Sequence, residues 1–172
     1  MPQPQPSAPK VTVAIPTYNR AAFLRQTLAG IAAQRFPREV FEVLVIDNNS
    51  TDETRAVVAE FAGERPAPRH LLETKQGLDF ARNRAVAEAR GEIIVFGDDD
   101  ILVETDWLAQ MTAPLLIDTA RRVGAVGGEP GFSAPESEKR LGVPVPDDAA
   151  PGTAALERFA DLNGGARGSA RA

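Results

Sequence analysis

From residue 11 onward, short β-branched apolar runs alternate with longer stretches whose apolar positions recur at helical spacing. "VTVAIP" (11–16) predicts a strand stopped by Pro16, which has no N–H to give a ladder. Phe23, Leu24, Thr27, Leu28 and Ile31 share a helical face within residues 21–34, and "RFPR" ends that helix. "FEVLVID" (41–47) predicts a second strand. Ser50 and Glu53 then form a capping signal at the head of a helix over 50–62, because their side chains can satisfy orphan N–H groups reciprocally. "RHLLET" (69–74) is a weaker third strand, and residues 77–90 form a helix closed by Gly91. "EIIVFG" (92–97) is apolar enough to be a strand buried on both faces. A helix over 105–122, interrupted at Pro114, and a short strand over 123–130 complete the pattern.

This order implies an α/β fold, a mostly parallel sheet flanked by helices. Residues 11–130 make up that domain. Residues 1–10 are Pro-rich and read as a disordered tail. Residues 131–172 are rich in Pro, Gly, Ala and charge and read as irregular and partly disordered.

Composition changes the picture by exclusion. A net charge of −5 over 172 residues argues against nucleic acid as a partner, which would need a basic field. Without cysteine there is no thiolate chemistry, and with His70 as the sole histidine a Ser-His-Asp triad is disfavoured. The N-terminal stretch has no apolar core of a signal peptide, and no run approaches a transmembrane segment. A cytoplasmic protein is the default expectation, with peripheral attachment at the inner membrane face left open.

The polar residues gather where strands end. Ligands of doubly wound sheets bind at the carboxyl ends of strands, in the crevice where strand order reverses. "PTYNR" follows the first strand, "DNNS" the second, and Asp98, Asp99 and Asp100 the fourth. Adjacent carboxylates repel, so a cluster after a buried strand suits a hard cation such as Mg²⁺ or Mn²⁺; the competing reading is a solvated acidic turn. Tyr18 can stack on a nucleobase or simply pack on a neighbour. Asp47 can accept an N–H from a ligand, while Asn48 and Asn49 suit tight turns. Arg82 can reach a phosphate or lie on a solvated helix face. His70 reads as a strand-edge residue, and Phe96 and Trp107 read as core. The first βα turn lacks GxGxxG, which counts against a nicotinamide or flavin cofactor.

Together, "VAIPTYNR", "VLVIDNNSTDET", "ARNRAVAEARGEIIVFGDDD" and "DWL" resemble the family-2 inverting glycosyltransferases of GT-A fold, from about Val11 to Gly128. The resemblance implies a nucleoside-diphosphate sugar as donor, Mn²⁺ or Mg²⁺ as cofactor, and inverting transfer to a hydroxyl of a glycan, lipid or small molecule. By position it implies that Pro16, Thr17, Tyr18, Asp47, Arg82 and Asp99 bind the nucleotide and that Asp98 and Asp100 bind the metal. Asp47 would accept from a base imide N–H, favouring UDP- or dTDP-sugars. Gly97 departs from the larger apolar residue often found in the family. No general base matches a motif, although Glu129, Glu136, Glu138, Asp147, Asp148, Glu157 and Asp161 are available. The pattern stops near residue 130, so the fold is expected to be truncated on its C-terminal side and prone to self-association. The alternative is a nucleotide-binding fragment without turnover, lacking the acceptor half and the base.

Overall fold

The computed structural model describes residues 8–118 and 124–126. Four strands, β1 (Val11–Thr17), β2 (Phe41–Asp47), β3 (Arg69–Leu72) and β4 (Ile93–Phe96), alternate with α1 (Ala21–Ala32), α2 (Thr54–Glu60), α3 (Leu78–Glu88) and α4 (Trp107–Ile117). All pairings are parallel, in the order β3-β2-β1-β4. The chain steps outward from β1 to β3 and then returns to the other side of β1, so strand order reverses between β1 and β4. That reversal opens a crevice at the carboxyl ends of those two strands.

The two central strands are buried along their whole length. Side chains alternate between the faces of the sheet. Ala14, Leu44 and Ile46 form one apolar face, against which α3 lays Ala81 and Ala85. Val13, Ile15, Val43 and Val45 face the other side and are likewise buried. Small alanines let α3 approach closely, and Gly91 extends the approach to the backbone. A Cβ on Gly91 would stand 2.6 Å from Thr12 N and Val11 C.

Several expectations need correction. β1 runs through Pro16 to Thr17, with Pro16 opposite Ile46. The β4 side of β1 is paired only as far as Ala14, whose carbonyl accepts from Gly97 N. Pro16 faces that same side, so its missing N–H breaks no rung. β4 is an edge strand among the described residues and is half-buried, with Phe96 exposed and not in the core. The Ser50–Glu53 capping box does not form. Ser50 Oγ instead accepts from Asn19 N, the N-cap position falls to Glu53 without a side-chain cap bond, and Asp52 just before it accepts through Oδ1 from Thr54 N and Thr54 Oγ1. Order begins before residue 11, since Lys10 N donates to Val40 O and Lys10 O accepts from Ile93 N.

The chain divides into one unit up to Trp107, which holds the sheet, and a second from Leu108 onward. In the second unit the helix continues through Pro114 without the expected interruption, and Asp118 N donates to Pro114 O. A proline removes one rung of a helix without necessarily ending it. Residues 124–126 carry no regular structure. The rest of the fifth strand expected over 123–130, the segment 131–172, residues 1–7 and every candidate base lie outside the described residues.

Candidate functional site

The site is built where loops leave the carboxyl edge. After β1 the chain turns at Asn19, which takes the left-handed conformation (φ 54°), and Asn49 does the same after β2 (φ 67°). Asparagine tolerates that backbone better than most residues. The two turns are laced together: Asn19 N donates to Ser50 Oγ, Thr51 N to Asn19 Oδ1, and Ala21 N to Asp52 Oδ2. Burial disfavours the Asp52 anion. The Thr54 hydroxyl and the Ala21 and Thr54 N–H groups more than offset this, holding the carboxyl below its usual range.

Asn48 does the equivalent work on the other wall. Buried at the end of β2, its Nδ2 donates to Glu73 O and Lys75 O while its Oδ1 accepts from Gly77 N. Gly77 has φ 140°, open to glycine and strained for other residues, and it launches α3.

The acidic loop after β4 is held from α1. The Thr27 hydroxyl donates to the carbonyls of Asp99 and Ile101, and Gln34 Nε2 donates to Glu104 O. Asp99 is buried, with Thr17 Oγ1 donating to its Oδ2 at 2.7 Å. Arg20 Nη1 lies 3.3 Å from Asp99 Oδ1 and 2.7 Å from Asp100 Oδ2. The hydrogen bond that Arg20 donates to Asp100, then the Asp99 charge, raise the Arg20 pKa above its ordinary value.

These walls enclose an open cleft of about 450 Å³. Pro16, Thr17 and Tyr18 line it from β1, Asp98, Asp99 and Asp100 from the β4 loop, and Gly77 and Ala81 from the α3 side. Tyr18 is 46% exposed, so its ring is available to a ligand. Two expected residues stand apart from this lining. Asp47 is buried, with Oδ1 accepting from Ser50 N and Oδ2 lying 3.0 Å from His70 Nε2. Arg82 is exposed on α3 and makes no hydrogen bond or ion pair among the described residues. Arg20 and Asn48 line the cleft although motif reading gave Arg20 no ligand contact and Asn48 only a tight turn. The signal for Arg20 was its place two residues after Tyr18, and for Asn48 its place after an apolar strand.

The donor chemistry suits a hard divalent cation, since the acidic loop offers carboxylate oxygens alone. Among the described residues no three acidic or histidine side chains converge as a closed cage. A cation such as Mg²⁺ or Mn²⁺ takes one or two carboxylates and completes its shell with water and phosphate. Asp98 and Asp100 are the exposed carboxylates of that loop. No helix among the described residues is long and apolar enough to cross a membrane.

Comparison with known proteins agrees with this architecture. Residues 12–140 match the family described as Glycosyl transferase family 2. The chain is 32% identical to Glycosyltransferase AglE of Haloferax volcanii over 74% of its own length and 41% of that protein. The crystal structure of Staphylococcus aureus TarS 1–349 in complex with UDP superposes with a TM-score of 0.57 at 32% identity, covering 63% of this chain and 32% of that one. The mannosyltransferase PcManGT of Pyrobaculum calidifontis, in complex with GDP-Man and Mn²⁺, gives 0.53 at 38% identity, covering 60% of this chain and 33% of that one. The chain thus spans less than half the length of each of these relatives.

Proposed function

The chain belongs to glycosyl transferase family 2 and has the GT-A fold, and on that premise we propose that its cleft binds a cation–nucleoside-diphosphate-sugar complex for inverting transfer to a hydroxyl. The observation that carries the reading is the meeting, in one cleft at the strand-order reversal, of the Tyr18 loop with the Asp98–Asp100 loop.

Tyr18 offers a ring for the base, and Pro16 and Thr17 form the floor beneath it. Asp99, held by Thr17, is directed at the ribose, and Asp98 and Asp100 hold the cation. The cation, when bound, neutralises the diphosphate and makes it a better leaving group. Asp47, buried behind the lining residue Asn48, is the candidate acceptor for a base N–H. Its carboxylate is oriented by Ser50 and His70 and keeps lone pairs beyond those two contacts. Arg82, without a partner among the described residues, is available to the phosphates. A uracil or thymine base follows from an imide N–H meeting a carboxylate. The guanine N–H edge is a rival, favoured by the likeness to a structure holding GDP-Man. The acceptor is a glycan, a lipid or a small molecule, and no general base is assigned.

Thermal shift with UDP, TDP, GDP and ADP, each with and without Mn²⁺, tests the reading. A ligand at about 100 times its Kd adds roughly 2.7 kcal/mol of stability, which is readily seen. Stabilisation by UDP or TDP in the presence of Mn²⁺, lost in Asp100→Asn, is the expected result. No shift with any nucleotide from a cooperatively melting chain would overturn it.

A further inference from the structure

We propose that Arg20 is a built-in counter-ion of the acidic loop that competes with the divalent cation for Asp100, so that the cation and the diphosphate enter the cleft together. The inference rests on the reading of the cleft as a cation–diphosphate site and assigns Arg20 a part in it.

Arg20 Nη1 bridges two carboxylates, at 2.7 Å from Asp100 Oδ2 and 3.3 Å from Asp99 Oδ1. Its guanidinium also lies over the Phe23 ring at 5.9 Å, which fixes the arm from behind. Asp99 is committed to Thr17 and to the sheet, so Asp100 is the carboxylate that can change partner. A cation arriving alone must take an oxygen that already bears a charge-assisted hydrogen bond, beside a positive guanidinium. It gains few ligands in return, because the described residues offer no closed cage. A diphosphate arriving alone meets three carboxylates with one guanidinium between them, a net negative wall. Arriving together, the two complete each other: phosphate oxygens supply the missing ligands, and the released guanidinium finds an anion in the cleft it already lines. Toward the cation Arg20 acts as a positioning residue, through Asp100.

The test is Mn²⁺ alone, titrated into the full chain and followed by the paramagnetic resonance of free Mn²⁺. Arg20→Gln should bind Mn²⁺ roughly tenfold more tightly than the unmodified chain, through loss of a neighbouring like charge. Arg20→Gln combined with Asp100→Asn should lose that gain, and Arg20→Lys, which keeps the charge, should stay near the unmodified affinity. With UDP or GDP present, the advantage of Arg20→Gln should vanish or reverse. A structural role for Arg20 would weaken binding of metal and nucleotide alike, so the opposite signs are diagnostic. Unchanged or weaker Mn²⁺ binding in Arg20→Gln, or a gain that survives Asp100→Asn, would overturn the competition. If no nucleoside diphosphate binds with Mn²⁺, the donor reading and joint entry fail together, whereas the Mn²⁺-alone contrast judges the Arg20–Asp100 competition by itself.

Discussion

The Thr17 hydroxyl donates to the buried Asp99 carboxylate across 2.7 Å, joining the end of β1 to the loop that follows β4. Thr17 also stands opposite Asp47 in the β1–β2 register, and its carbonyl accepts from Asn48 N. One residue therefore ties three strand ends into a single floor. Thr17→Val keeps the shape and removes the donor, leaving a buried carboxylate short of a partner. The expected loss is about 1–3 kcal/mol of stability, measured by urea unfolding, with weaker nucleotide binding alongside it. Wild-type stability would show that Arg20 alone satisfies Asp99.

Asp52 predicts a pH dependence. Its folded pKa is depressed by hydrogen bonds that outweigh burial, so its contribution is present above the ordinary carboxylate pKa. That contribution is lost as pH falls through the lower folded value. Asp52→Asn should therefore melt lower than the unmodified chain at neutral pH, and the gap should close below about pH 4. Solvent exposure of Asp52 keeps the effect small. Melting temperatures across pH 2–7 read it, and a gap that does not narrow in acid would rule it out.

Gly91 predicts a packing limit. Its N–H donates to Thr12 Oγ1, and a side chain there would enter the β1 backbone at 2.6 Å. Gly91→Ala should cost about 1–3 kcal/mol or more, because the obstacle is main chain and cannot rotate away. A lowered urea midpoint at unchanged m-value is the expected signature. An unaltered midpoint would mean that the α3–β4 connection shifts freely.

Tyr18 predicts a ligand effect without a stability effect. Its ring is half exposed in the cleft, so Tyr18→Ala should leave melting near its original value. Base stacking lost at this position should weaken UDP or GDP binding by roughly 1–3 kcal/mol, read by calorimetry. Equal affinity in both chains would place the base elsewhere.

Much of this architecture was legible in residue order. Alternating apolar runs located β1 to β4 and α1 to α3, since each element must bury one face and its periodicity records which one. The motifs at strand ends also marked the cleft. Local signals misled where a tertiary partner outbid them: Ser50 promised a cap and instead serves Asn19, while Asp52 holds the Thr54 N–H at the start of the helix. Phe96 promised a core residue and lies exposed on a strand that is an edge among the described residues.

By itself, the sequence determined the element order, the parallel sheet and the residue types offered to a ligand, because these follow from periodicity and chain direction. Only the tertiary structure decided which strands became neighbours. That choice brings Arg20 onto Asp99 and Asp100 from some eighty positions away in the chain, and His70 onto Asp47 across the β2–β3 pair. The physical reason is that a charge shows its type in sequence, while its partner is set by register and burial, which no local pattern carries.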